Sequence, residues 1–350
     1  MHRRDRAAGA GDIMSGRGIG LWGETLTEAV EWARAAEAAG FGSVWNDELH
    51  RSAFVPLAGV ATATSRIQLC LGIALAFTRS PLITALTALD LDELSGGRFT
   101  LGLGSGVQRL NEDWHNVPFG KAVPHLRETV ALVRLLMAQA HRGEPIAFQG
   151  DYYQVNIRGY RRPYKPVRER LPIILAGVGP AMLALAGEVA DGWLGHELNS
   201  PEFIRDTILP RIEGGIARSG RARAAFDARA SVVCAISTDG REARRQAAGT
   251  VAFYATVRTY APLFAFHGFG EEAARIQQLF RAGDHAGMVD AVPDAMVDTY
   301  TAAGTVDEVR ARLRRYEEVA DSVRLAPPRY FVEPEVTRSQ LGRIIERLAT

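Results

Sequence analysis

Leu94-Ser95-Gly96-Gly97-Arg98-Phe99-Thr100-Leu101-Gly102-Leu103-Gly104-Ser105-Gly106 holds a helix end, a turn, a strand and a glycine loop in one short stretch. Ser80-Pro81 opens the preceding helix with proline in its first turn, and Ser95-Gly96-Gly97 stops it. Phe99–Leu103 then reads as a strand. The same alternation runs outward in both directions. Upstream, Ile19–Trp22 reads as a strand. Thr25 and Glu28 give a capping-box spacing for a helix with Leu26, Ala29, Val30, Ala33 and Ala36 at helical intervals, which Gly40 ends. Gly42–Trp45 is a strand, Pro56–Thr64 a helix, and Ile67–Leu75 a third, nearly all-apolar strand. Downstream, helix Val123–Ala140 precedes an alternating hairpin insertion, Ile146–Val155. Strands Leu171–Leu175, Gly192–Gly195, Ala230–Ile236 and Val323–Leu325 follow. They are separated by helices Gly179–Ala190 and Pro201–Ser219 and by a helical insertion over Arg241–Tyr316, and helix Val336–Leu348 closes the chain.

Eight strands alternating with helices predict a parallel sheet, and eight close more readily into a (β/α)8 TIM barrel than an open sheet. The rival is a doubly wound sheet, but the first strand–helix turn, Trp22-Gly23-Glu24, lacks GxGxxG. No linker divides the chain, so residues 15–350 are expected to form one domain, preceded by a polar, disordered extension over residues 1–14. Lys plus Arg total 41 against 40 for Asp plus Glu, which gives no electrostatic reason for nucleic acid or an anionic membrane as partner. No apolar run approaches the ~20 residues of a membrane span. Cys70 and Cys234 lie in apolar strand-like runs without metal-ligand spacing, so they read as reduced thiols of a cytoplasmic protein and no metal site is predicted.

In such a barrel the active site lies at the C-terminal ends of the strands. Asn46-Asp47-Glu48-Leu49-His50 follows the second strand and offers groups for acid–base work, against a plainer role in capping. Gly72-Ile73-Ala74-Leu75-Ala76-Phe77-Thr78-Arg79 ends the third, where a glycine inside an apolar strand marks a bulge or a close ligand approach. Ser105-Gly106 and Leu110-Asn111-Glu112-Asp113-Trp114-His115 follow the fourth. Ala176-Gly177-Val178-Gly179-Pro180 runs from the fifth strand into a helix whose free amides suit a phosphate, or is a tight turn and nothing more. His196 follows the sixth and reads as a satisfied loop histidine.

Together these pieces resemble the luciferase-like monooxygenase superfamily. The carriers are Gly40-Phe41-Gly42-Ser43-Val44-Trp45-Asn46-Asp47, the Leu94–Gly106 block, Val117-Pro118-Phe119-Gly120, Gly150-Asp151-Tyr152-Tyr153 and Ala190-Asp191-Gly192-Trp193, in order along residues 15 to 325. Within it, Gly72-Ile73 through Phe77-Thr78-Arg79-Ser80-Pro81 looks like methylene-tetrahydromethanopterin reductases and related enzymes of the deazaflavin coenzyme F-420. The resemblance implies a cis Gly72–Ile73 bond backing the ring, with Ala74, Phe77 and Thr78 beside it. It also implies phosphate binding at Gly177, Val178 and Gly179, and Asp47, Ser105, Gly106 and Asn111 near the ring or its side chain. Three departures stand out: Glu48 occupies the place of a histidine common after the Asp, Val107 that of a glutamate found in the sugar-phosphate-oxidising members, and Gly20 and Trp22 the region where some reductase members carry an acid in the first strand.

The expected function is hydride transfer between F-420 and a small organic substrate, with Glu48, His50 and Glu112 handling protons. Trp22, Trp45, Phe77 and Trp114 are expected to line the cleft, and Tyr254, Arg258, Tyr260 and His267 to reach the substrate from the helical insertion. The alternatives are an FMN-dependent monooxygenase using O2 and a non-catalytic ligand-binding homologue. A homodimer is the oligomer expected.

Overall fold

The computed structural model describes residues 16–349. Its strands are β1 (Arg17–Gly20), β2 (Ser43–Asn46), β3 (Gln68–Leu71), β4 (Ala74–Leu75), β5 (Phe99–Gly104), β6 (Ile146–Gln149), β7 (Gln154–Ile157), β8 (Ile173–Ala176), β9 (Gly192–Leu194), β10 (Asp227–Ile236), β11 (Thr301–Gly304) and β12 (Ser322–Ala326). Taking β3 and β4 as one interrupted stave, eight parallel staves run β1, β2, β3/β4, β5, β8, β9, β10, β12 and close back on β1. The fold is a (β/α)8 barrel. β6 and β7 form the antiparallel hairpin beside it, which runs to Ile157, two residues beyond the sequence reading. The expectation for residues 1–14 lies outside the described residues.

Local signals placed most elements. Thr25 Oγ1 accepts the Glu28 N–H to start the first helix, while the Glu28 carboxylate takes the Glu24 amide rather than closing the box on Thr25. Gly40, at φ 87°, ends that helix in the left-handed region. Ser80 caps helix Pro81–Leu94.

Three readings need correction. β1 begins two residues before the expected strand, because Arg17 and Gly18 already pair with β12. The helix after Pro201 is interrupted by a π-turn, Ile204–Ile208, just before Pro210, whose ring and missing N–H disrupt a regular helical ladder. The Arg241–Tyr316 region is not wholly helical, since Thr301–Gly304 forms β11. Ten-residue β10 outruns its neighbour β9, which pairs only with Asp227–Arg229, and Val233–Ile236 is left free to take β11 alongside.

β10 also explains why the insertion packs where it does. Successive strand residues point to opposite faces. Ala228, Ala230, Val232, Cys234 and Ile236 join the main core between barrel and helices. Val233 and Ala235 join a second apolar cluster with Val251, Phe264, Ile276, Met296 and Tyr300 of the insertion. The insertion is thereby anchored over the C-terminal end of the barrel. Inside the barrel, Trp45, Cys70, Ile174 and Leu194 form a small apolar floor. Among the described residues no helix is long and apolar enough to cross a membrane.

Candidate active site

A cavity of about 270 Å³ opens at the C-terminal ends of the staves. Asp47, Glu48 and Leu49 line it from the β2 loop, Gly72 from the break between β3 and β4, and Ala176, Gly177 and Val178 from the β8 loop. Leu194 to Glu197 line it after β9, Tyr254 and Tyr260 from the insertion, and Arg324, Arg329 and Tyr330 from β12 and its loop.

The floor is a bulge. The Gly72–Ile73 peptide bond is cis, as the resemblance implied. Gly72 N–H donates to the Asn46 carbonyl, and a Cβ there would meet Leu194 Cδ2 at 2.8 Å and Trp45 Cε3 at 3.0 Å. Glu48 holds the bulge on both sides. Its N–H donates to Ile73 O at 3.1 Å, and its carboxylate accepts from Leu75 N–H at 2.8 Å and from Arg79 Nη1 at 2.9 Å. Arg79 Nη2 pairs with the other carboxylate oxygen. Both carboxylate oxygens of Glu48 are thus engaged, so its geometry is that of a clamp. The glycines after the fourth stave have a related purpose. A Cβ on Gly102 would overlap the Leu71 carbonyl, and one on Gly104 would lie 2.8 Å from Ile73 Cδ1. They make room for the bulge.

One wall is a charge network that the sequence reading missed apart from Asp47. Arg329 bonds Glu197 Oε1 at 2.9 Å and Asp47 Oδ2 at 3.2 Å. Arg324, on the inward face of β12 with its side chain only 5% exposed, lies 3.7 Å from Asp47 and 3.9 Å from Glu197. Burial alone would raise the Asp47 carboxyl, but Arg329 and Arg324 outweigh it and hold Asp47 below the usual carboxylate range. Asp47 first, then Glu197, hold Arg329 charged in return. Arg324 is poorly served by comparison. Gly72 O lies 3.5 Å from Arg324 Nη1, and the buried Nε has no partner among the described residues.

The opposite wall is aromatic. His196 stacks on Tyr260 with centroids 4.0 Å apart and meets Tyr254 edge-on at 4.2 Å. Tyr254 also contacts Tyr330, which stacks on Phe253 at 3.9 Å. Burial pushes the Tyr260 phenol up to about 12 and the His196 ring down to about 3.

Of the residues singled out from the sequence, Asp47, Glu48, Gly72, Gly177, Val178, His196, Tyr254 and Tyr260 line the cavity, and His196, expected to be a satisfied loop histidine, keeps its buried Nε2 without a partner among the described residues. Ile73 and Ala74 lie in the bulge behind it, and Gly179 is the N-cap of helix Pro180–Val189, with no side chain spent on the cap. Thr78 Oγ1 is turned back to Leu75 O. Ser105 Oγ bonds Gly106 O, while the buried Asn111 amide ties its own loop to the carbonyls of Ser105 and Val107. His50 and Glu112 are exposed and away from the cavity, and Glu112 accepts from Gln108 and Phe119 of the same loop.

The proposed four-aromatic cleft does not form. Trp45 is buried in the barrel beneath Arg229, Phe77 stacks on His125 at 3.7 Å, Trp22 packs under Arg338, and Trp114 is 63% exposed. Arg258 is exposed, and His267 bonds Ser200 rather than reaching the cavity. The residues missed, Glu197, Arg324, Arg329 and Tyr330, carry one usable signal: a charged residue within the apolar run Ser322–Ala326 is costly unless paired.

A closed parallel barrel with a bulged third stave and a mouth roofed by inserted helices defines a class of cofactor-using barrel enzymes. The chain matches the family described as luciferase-like monooxygenase over residues 6–322 and belongs to that family, a family of oxidoreductases. It is 33% identical to the uncharacterized protein Rv1360 of Mycobacterium tuberculosis, covering 85% of this chain and 89% of that one. It is 30% identical to a second protein of that organism, Rv3520c, named as a candidate coenzyme F-420-dependent oxidoreductase, covering 85% and 90%. It is 29% identical to 5,10-methylenetetrahydromethanopterin reductase of Archaeoglobus fulgidus, covering 81% and 83%. Among solved structures, the coenzyme F-420-dependent tetrahydromethanopterin reductase of Methanopyrus kandleri superposes with a TM-score of 0.82 at 25% identity, covering 95% of this chain and 98% of that one. The FMN complex of a 3,6-diketocamphane monooxygenase constituent from Pseudomonas putida shares the fold, with a TM-score of 0.66 at 18% identity.

Proposed function

We propose that this chain is a coenzyme F-420-dependent oxidoreductase acting on a small organic substrate at the barrel mouth. The observation that carries the reading is a cavity lined by both Gly72 and the Gly177-Val178 loop, in a chain similar over most of its length to an F-420-dependent reductase. Gly72 brings backbone to the lining, and the loop runs on into Gly179, which opens a helix with uncapped amides.

The residues present fit a flavin-type group. Such a ring carries carbonyl and ring-nitrogen acceptors along one edge. The structure keeps a buried donor without a partner beside the floor, Arg324 Nε. Gly72 and the bulge would carry the ring, Arg324 would donate to its acceptor edge, and the amides around Gly177, Val178 and Gly179 would hold the phosphate. When bound, the deazaflavin supplies a two-electron hydride carrier. The chain's own contribution is positioning: Glu48 and Arg79 fix the bulge, Asp47, Glu197 and Arg329 fix the Arg324 wall, and Tyr254, Tyr260 and Tyr330 give the substrate an aromatic wall.

The test is tryptophan quenching on titration with F-420 and, separately, with FMN. Selective F-420 binding is the expected result. Preference for FMN overturns the deazaflavin assignment and points to O2-dependent oxidation, while binding of neither overturns the enzyme reading.

A further inference from the structure

Among the described residues, the cavity carries two buried side-chain atoms without hydrogen-bond partners, Arg324 Nε and His196 Nε2. Arg324 lies beside the floor at Gly72; His196 lies against Tyr254 and Tyr260. The protonation of His196 follows from its other nitrogen. Leu198 N–H donates to Nδ1 at 3.3 Å, and an amide donor can only be met by an unprotonated ring nitrogen. A neutral His196 therefore carries its proton on Nε2. Burial opposes the imidazolium strongly enough that the ring is neutral at ordinary pH. His196 thus presents a single N–H donor of fixed tautomer, with no partner among the described residues.

The charges around the cavity limit what that donor meets. Lining carboxylates are Asp47, Glu48 and Glu197; lining guanidiniums are Arg324 and Arg329, and Arg79 neutralises Glu48 from just outside. The three pairs cancel. Among the described residues, the lining cation beside the tyrosines is Arg329, which Asp47 and Glu197 already pair, so it is not spare for an anionic substrate; the rings of Tyr254, Tyr260 and Tyr330 line the cavity around His196.

We propose that His196 Nε2–H is the hydrogen-bond donor to the substrate oxygen, and that the site takes an uncharged, ring-bearing carbonyl compound or the alcohol it interconverts with. This builds on the hydride-transfer reading above. In the reducing direction the carbonyl carbon gains a hydride, with its two electrons, from the reduced deazaflavin. The C=O pair moves onto oxygen, and that oxygen then takes a proton from water. The charge that grows on oxygen meets a donor already in place, which is where a preorganised hydrogen bond acts most strongly. Tyr254 and Tyr260 shield Nε2 from bulk water, so an acceptor that reaches it is bound in a low-dielectric setting.

Two measurements test this on the whole chain. In ¹⁵N-histidine-labelled protein, the ring signal lost in His196→Phe is expected to report the neutral Nε2–H tautomer from pH 5 to 8. A charged ring, or a proton on Nδ1, overturns the proposal whatever else binds. Calorimetric titration then compares acetophenone, styrene and benzoate as probes, with and without F-420. Acetophenone is expected to bind about fivefold tighter than styrene, the value of one hydrogen bond, and tighter than benzoate. His196→Phe is expected to bring acetophenone and styrene level, and His196→Gln, which keeps a donor, to retain part of the difference. Absence of acetophenone binding, equal binding of acetophenone and styrene, preference for benzoate, or a ratio unchanged in His196→Phe overturns the ligand class. Failure of F-420 to bind while the acetophenone preference persists overturns the cofactor assignment and leaves the role of His196 intact.

Discussion

The carboxylate of Glu48 and the guanidinium of Arg79 meet fork to fork across the bulge of the third stave, both Glu48 oxygens engaged. Glu48 is almost fully covered, so removing its charge strands a partly buried guanidinium. Glu48→Gln is expected to cost about 2 kcal/mol, in the range of a hydrogen bond to a charged group. Chemical denaturation measures it. A variant as stable as the parent would show the clamp to be idle.

Arg329 is the better-bonded of the two cations facing Asp47 and Glu197. Replacing it with methionine leaves two carboxylates to one long-range arginine. Breaking such a buried network from one side typically costs about 3–5 kcal/mol. Arg329→Met is therefore expected to fall at the top of any stability series across the mouth, with cofactor affinity lost alongside. A melting temperature within error of the parent would contradict the network's role.

Glycine substitutions should separate folding from binding. Gly102→Ala drives a methyl into the Leu71 carbonyl, which is backbone and cannot yield, so little folded protein is expected. Gly104→Ala meets the flexible tip of Ile73 and is expected to fold with reduced stability. Gly179→Ala has open space around its Cβ and an ordinary φ of −81°, so its melting temperature is expected to stay put while affinity for the phosphate-bearing cofactor drops. Unchanged affinity would remove the phosphate from that loop.

His196 sets a direction for stability against pH. Its folded value, about 3, lies far below the unfolded imidazole at ~6.5. Between those values the unfolded chain binds a proton that the folded chain refuses. The stabilisation is fully present above about pH 6.5 and is lost progressively as pH falls towards 3. Burial shifts His125 and His267 the same way. Denaturation at pH 7 and pH 5 is expected to show a loss, smaller in His196→Phe; equal losses would contradict the assignment.

The barrel was legible because its signals are local. Caps at Thr25 and Ser80, the stop at Gly40 and the apolar runs of the staves each lie within a few residues. β11 was not legible: Thr301-Ala302-Ala303-Gly304 has little strand character of its own and exists because β10 leaves an edge open to it. The site was legible where one loop carries it, as at Asp47-Glu48, Gly72 and Gly177-Val178. It was lost where partners are distant in sequence. Glu48 read as a proton carrier because Arg79 could not be seen to meet it, and the arginines that pair with Asp47, Arg324 and Arg329, went unread because they arrive almost the whole chain later.

The mutual cancellation of charge around the mouth bears on arrival as well as on fit. Paired charges cast only a short-ranged field, so the mouth neither draws in ions over a Debye length nor turns them away. Encounter with an uncharged compound is then governed by diffusion. Its association rate is expected to be nearly flat from low to high ionic strength, whereas a mouth built to recruit polyanions would slow steeply as salt is added.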